Sequence, residues 1–138
     1  MTAAVLTSVL VAGGVRAASQ DAAPPAVFTA EQAAEGKATY AKACASCHLP
    51  DLSGNNDAPP LAGATFLSSW SERSTKDLLD YMAGTMPPGG GALAPEAYLT
   101  IAAHVLQANG AASGSRSYTP ETAVRIGSLI PPRPGSAD

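Results

Sequence analysis

Residues 49–65 carry Pro, Gly, Asn and Asp at a density that fits neither the 3.6-residue period of a helix nor the alternation of a strand. A second run, Met86-Pro87-Pro88-Gly89-Gly90-Gly91, excludes helix interior and central strand alike. Irregular connections this long are uncommon in a compact domain and usually mark functional loops. With 13 Gly and 12 Pro among 138 residues, helices must be few and short. The chain is nonetheless 46% hydrophobic and only 14% charged, too apolar for a wholly disordered polypeptide. A net charge of −3 supplies no basic stripe for a phosphate backbone, which excludes nucleic acid as a partner.

Between these runs lie helical signals. Thr29 and Gln32 form a capping box ahead of Ala33, Ala34, Tyr40 and Ala41. Residues 66–70 read as a short helical turn. Ser74 caps a further helix, with Asp77 at its third position, Leu78, Leu79 and Met82 facing inward, and Gly84 as its stop. Pro95 sits where a first helical turn tolerates it. Tyr98, Ile101, Ala102 and Val105 then follow at the spacing of one buried face, and Asn109-Gly110 ends the helix. The expected fold is all-α, with long irregular loops. One Trp, two Phe and four Tyr make a thin core for such a domain, and an apolar group held inside would complete it.

Four segments are expected along the chain. Residues 3–15 are apolar and end at Val15-Arg16-Ala17, which predicts a secretory signal over 1–17, cleaved after Ala17. The run is shorter than the roughly 20 residues of a membrane span, so no span is expected in the mature chain. It departs from the usual signal pattern in having no Lys or Arg ahead of it. Residues 18–28 read as a flexible leader and 29–110 as the folded domain. Residues 111–138 form an extension in which Val124, Ile126, Leu129 and Ile130 offer apolar side chains, either for docking or as part of a disordered end.

Cys44-Ala45-Ser46-Cys47-His48 matches the haem-attachment pattern C-x-x-C-H. Thiols three residues apart at a helix end project to one side, where both reach the two vinyl groups on one edge of a porphyrin. His48 then presents its imidazole to the iron. Thioether formation also explains how two neighbouring thiols escape disulfide formation in an oxidising compartment. A thioredoxin-type pair would sit between strand and helix, whereas here a helix precedes and a loop follows. A zinc site would need a second ligand pair, and the other histidine, His104, is alone and far along the chain.

Taken with Pro59-Pro60-Leu61-Ala62-Gly63, Trp70, Met86-Pro87 and Leu106-Gln107-Ala108-Asn109-Gly110, the motif resembles a class I c-type cytochrome domain over residues 29–110. The resemblance implies a small helical fold around one haem c, attached through Cys44 and Cys47, that carries electrons in the periplasm without catalysis. It implies His48 as proximal ligand, oriented by the carbonyl of Pro59, with Pro60 as the alternative. Met86 is the implied distal ligand and Met82 its competitor, although Met82 lies on a helix face suited to the core. Trp70 and Arg73 are candidates for a haem propionate; core filling and a solvated charge are the plain alternatives. Gly36 is expected where the first and last helices cross beside Tyr40, and His104 as an aromatic packed there.

The implied partners are a redox donor and acceptor, such as a dehydrogenase or a terminal oxidase. With three lysines (Lys37, Lys42 and Lys76), an apolar encounter is expected over a lysine-ringed one. Two other readings stay open: a dedicated cytochrome subunit of a larger, quinoprotein-type dehydrogenase, and a haem enzyme or sensor with an open distal position.

Overall fold

The computed structural model describes residues 23–131. The expected signal segment lies outside these residues, as do the ends of the leader and of the C-terminal extension. Five α-helices follow in order: α1 (Ala30–Ala43), α2 (Ala45–His48), α3 (Ala64–Trp70), α4 (Thr75–Thr85) and α5 (Pro95–Ala108), with a 3-10 turn at Ile126–Leu129. The described residues form no strand, only an isolated bridge between Ser74 and Arg125. The fold is all-α.

Local chemistry sets the helix ends. Thr29 accepts the Gln32 amide at 3.2 Å, and the Gln32 side chain accepts the Thr29 amide at 3.3 Å. Ser74 and Asp77 repeat the arrangement at the start of α4, at 3.1 and 2.9 Å. Helix α3 begins at Ala64, two residues before the expected turn. Helix α4 continues through Gly84 to Thr85 and stops where Met86 turns extended. Pro87, rather than Gly84, supplies that stop, because a proline disfavours helical geometry in the residue before it.

The core is built on α5, in which every residue from Tyr98 to Leu106 is buried, and α1 crosses it. A Cβ on Gly36 would lie 1.7 Å from the Thr100 carbonyl oxygen, so only glycine lets the two backbones approach this closely. His104 lies 5.4 Å from Tyr40, edge to face, at the same crossing.

The described segments on either side of the helices join this core. Val27 and Phe28, expected in a flexible leader, are buried, and the Phe28 carbonyl accepts the Gly114 amide at 2.9 Å. Burying two large apolar side chains offsets the entropy lost in ordering the segment. In the extension, Tyr118, Ile126 and Leu129 are buried. The Gln32 side chain pairs with the Tyr118 backbone through 3.0 and 2.8 Å hydrogen bonds. The Thr75 amide donates to the Val124 carbonyl, its hydroxyl donates to the Thr122 carbonyl and accepts the Val124 amide, and the Tyr118 hydroxyl donates to the Thr75 carbonyl. The Ile126 and Gly127 amides donate to the Arg73 and Ser71 carbonyls, each at 2.9 Å. The extension thus straps the α3–α4 junction to the start of α1.

Candidate functional site

Cys44 closes α1 and opens α2, so the two cysteines and His48 occupy a single helical turn. Cys44 is half-buried and Cys47 exposed, and both thiols are free. Burial is the first cause, and the Cys47 sulfur the second, that pushes the Cys44 thiol above the usual range; at neutral pH it is protonated.

His48 is buried, and its Nδ1 lies 2.9 Å from the Pro59 carbonyl oxygen. A carbonyl only accepts, so Nδ1 carries the proton and Nε2 keeps its lone pair. Nε2 has no hydrogen-bond partner among the described residues. Of the two adjacent prolines, Pro59 makes the contact.

The irregular segment that delivers this carbonyl is held by its own backbone. Gly54 donates to the His48 carbonyl at 3.0 Å and Leu61 to the Leu52 carbonyl at 2.8 Å. The Asn55 side chain donates to the Cys47 carbonyl at 3.0 Å and accepts the amides of Asp57 and Ala58. Gly54 is left-handed at φ 67°, and a Cβ there would strike the Ala58 carbonyl. Tyr40 reaches from α1 to donate to the Leu49 carbonyl at 2.7 Å, and burial pushes its hydroxyl up to about 12.

Asn109 has a role that the sequence did not disclose. Beyond ending α5, its side chain donates to the Leu61 carbonyl at 2.9 Å and accepts the Gly63 amide at 3.0 Å. It pins the far end of the segment that carries Pro59. An Asn before Gly at a helix end is an ordinary stop signal, so nothing local set it apart.

Met86 caps α4, half-buried, its amide donating to the Met82 carbonyl at 2.8 Å. Met82 packs against the hydrophobic core. The run after Met86 folds back onto α4: Gly91 donates to the Ala83 carbonyl and Gly90 to the Pro87 carbonyl, each at 2.9 Å. The Met86 carbonyl accepts the Tyr98 hydroxyl at 2.7 Å.

Trp70 is half-buried, stacked on Phe66 and edge-on to Tyr81, and the Arg73 guanidinium lies 4.9 Å from the centre of its ring. The two propionate candidates are therefore together, joined by a cation–π contact. Among the described residues, no group of three or more His, Cys, Asp or Glu side chains is placed to hold a metal ion.

The sequence model of the family described as "Cytochrome C oxidase, cbb3-type, subunit III" matches residues 31–105, a span that includes the cysteine pair, His48, Pro59 and Met86. The chain belongs to this family of c-type cytochromes. As a member it is an electron-transfer haem protein. The crystal structure of the sulfane dehydrogenase SoxCD from Paracoccus pantotrophus contains a similar chain, 28% identical, with a TM-score of 0.50. The likeness covers 70% of this cytochrome and 57% of that chain, so the cytochrome corresponds to little more than half of its relative. No curated protein matches it.

Proposed function

We propose that the chain is a periplasmic electron carrier holding one haem c, covalently attached through Cys44 and Cys47, with His48 and Met86 as axial ligands. The observation that carries this reading is the 2.9 Å contact between His48 Nδ1 and the Pro59 carbonyl, made one residue after the free thiol of Cys47 and four after that of Cys44. That contact fixes the ring plane and the tautomer, so Nε2 is the nitrogen offered to iron. The donor set fits the group: two unbonded thiols for thioethers, one imidazole with a free lone pair, and a half-buried thioether.

When bound, the haem supplies a one-electron Fe(III)/Fe(II) couple. The chain's own residues set its environment. As a ligand, the soft Met86 thioether would favour the reduced metal, raise its potential and deny that coordination site to oxygen and peroxide. Residues 49–65, held by Asn55 and Asn109, deliver the Pro59 carbonyl to His48. Trp70 and Arg73 would lend a ring N–H and a guanidinium to a propionate.

The test is the weak near-red band of ferric haem bound to a thioether. It is expected in the wild-type protein and in Met82→Ala, and absent in Met86→Ala. A band that survives Met86→Ala contradicts the ligand assignment. Carbon monoxide bound readily by the reduced wild-type protein at neutral pH would favour an enzyme or sensor instead.

A second reading, a cytochrome subunit of a larger dehydrogenase, draws on the likeness to a chain from a sulfane dehydrogenase crystal structure. Native hydrodynamic mass separates the two: a single small chain supports the free carrier, and migration with a dehydrogenase activity supports the subunit.

A further inference from the structure

From the loop around Met86 we infer that Tyr98 is the positioning residue that holds the Met86 thioether ready for the iron. This rests on the reading of Met86 as axial ligand. Residues 87–93 leave α4 and return to α5 outside helix and strand, held to α4 by the Gly91 amide on the Ala83 carbonyl, and Gly89, Gly90 and Gly91 all have positive φ. Such a segment has many conformations open to it, and ordering it costs entropy residue by residue. One hydroxyl ties both of its ends. Tyr98 Oη donates to the carbonyl of Met86 at 2.7 Å and accepts the amide of Leu93 at a longer 3.4 Å. The phenol is itself immobile: Tyr98 stands on the first turns of α5 and is 3% exposed.

The consequence is directional. A ligand on a loop binds in proportion to the fraction of time the loop holds the competent geometry. The Met86 amide is already bonded to the Met82 carbonyl, so the Tyr98 bond fixes the second side of the same residue. With both held, rotation about the side chain is the main freedom left to the sulfur. Removing the hydroxyl frees the carbonyl side and lets an exogenous ligand compete for the sixth position. Tyr98 acts through Met86 and does not itself touch the iron.

The test uses the intact haem-loaded protein and three variants: Tyr98→Phe, Met86→Ala and Tyr118→Phe. Tyr118 is also a buried tyrosine whose hydroxyl donates to a backbone carbonyl, that of Thr75, in the strap rather than in the Met86 loop. Imidazole affinity of the ferric protein is the readout. Tyr98→Phe is expected to bind imidazole about three- to tenfold more tightly than wild type, the range set by losing one hydrogen bond, and to keep the near-red band without imidazole. Tyr118→Phe should bind it as wild type does.

Unchanged imidazole affinity in Tyr98→Phe, with the wild-type band present, overturns the role of Tyr98 and leaves Met86 as ligand. An equal rise in both tyrosine variants also overturns it, since general loosening would then suffice. A wild-type protein without the band sinks the reading of Met86 itself. Should Tyr98→Phe not fold, the reduced wild-type protein still decides by proton NMR. A Tyr98 hydroxyl resonance protected from solvent exchange, with cross-peaks to Met86, upholds the tether, and a freely exchanging hydroxyl overturns it.

Discussion

Gly36 on α1 and Thr100 on α5 meet backbone to backbone, leaving no room between them for a methyl group. An alanine in mid-helix gains about 1 kcal/mol over glycine in propensity. Here that gain is overwhelmed, because the obstacle is a carbonyl of a buried helix rather than a movable side chain. Gly36→Ala is expected to destabilise the haem-loaded protein by about 3 kcal/mol or more, read from its denaturant midpoint. A variant as stable as wild type would mean that the helices do not cross at this point.

The strap formed by the extension makes a separate prediction. Thr75 is fully buried, and its hydroxyl serves both the Thr122 carbonyl and the Val124 amide. Thr75→Val preserves shape and leaves both groups without that partner, at an expected loss of about 1–3 kcal/mol. Truncation after Ser117, which removes buried Tyr118, Ile126 and Leu129, should cost more. Thermal midpoints of the two variants check the order. A truncated protein that melts with wild type would show the strap to be dispensable.

His104 gives the fold an acid-side liability. Burial first, and the Lys37 charge second, hold its imidazole below the usual value of 6.5. Between that value and the lower folded one, the unfolded chain binds the proton and the folded chain does not, so stability falls as pH drops through this window. His104→Phe keeps an aromatic against Tyr40 and removes the titration. Its unfolding free energy should fall less between pH 7 and pH 5 than that of wild type. Parallel curves for the two proteins would contradict the assignment.

Much of this arrangement was legible in the chain, and what was hidden had a common cause. The boxes at Thr29–Gln32 and Ser74–Asp77, the proline opening α5, and the spacing of Tyr98, Ile101, Ala102 and Val105 are local signals, each complete within a few residues. The pairing of His48 with Pro59 followed from the family pattern, which records a contact that spacing alone does not reveal. Val27 and Phe28 were concealed by the prolines before them. The strap was concealed because Gln32 pairs with Tyr118 across 86 positions and Thr75 with Val124 across 49. Hydrogen bonds between a side chain and a backbone group far away in sequence leave no periodicity to read. Tyr98 was visible as a core residue, but a hydroxyl's partner depends on a loop whose path only the fold sets.

Arg73 and Trp70 call for a distinct measurement. If they hold a propionate, Arg73→Gln should lower the reduction potential, because a carboxylate left unpaired near the iron favours the ferric state. Redox titration against wild type reads the shift. A potential unmoved by Arg73→Gln would assign the guanidinium to its contact with Trp70 alone.

The most direct measurement is the mass of the purified protein after full denaturation, with the double variant Cys44→Ala/Cys47→Ala beside it. Wild-type chain should appear heavier than its polypeptide by one haem and keep its colour in denaturant, while the double variant runs at polypeptide mass and loses its colour. A wild-type chain at bare polypeptide mass, with any pigment washing free, would contradict covalent attachment and the site built upon it.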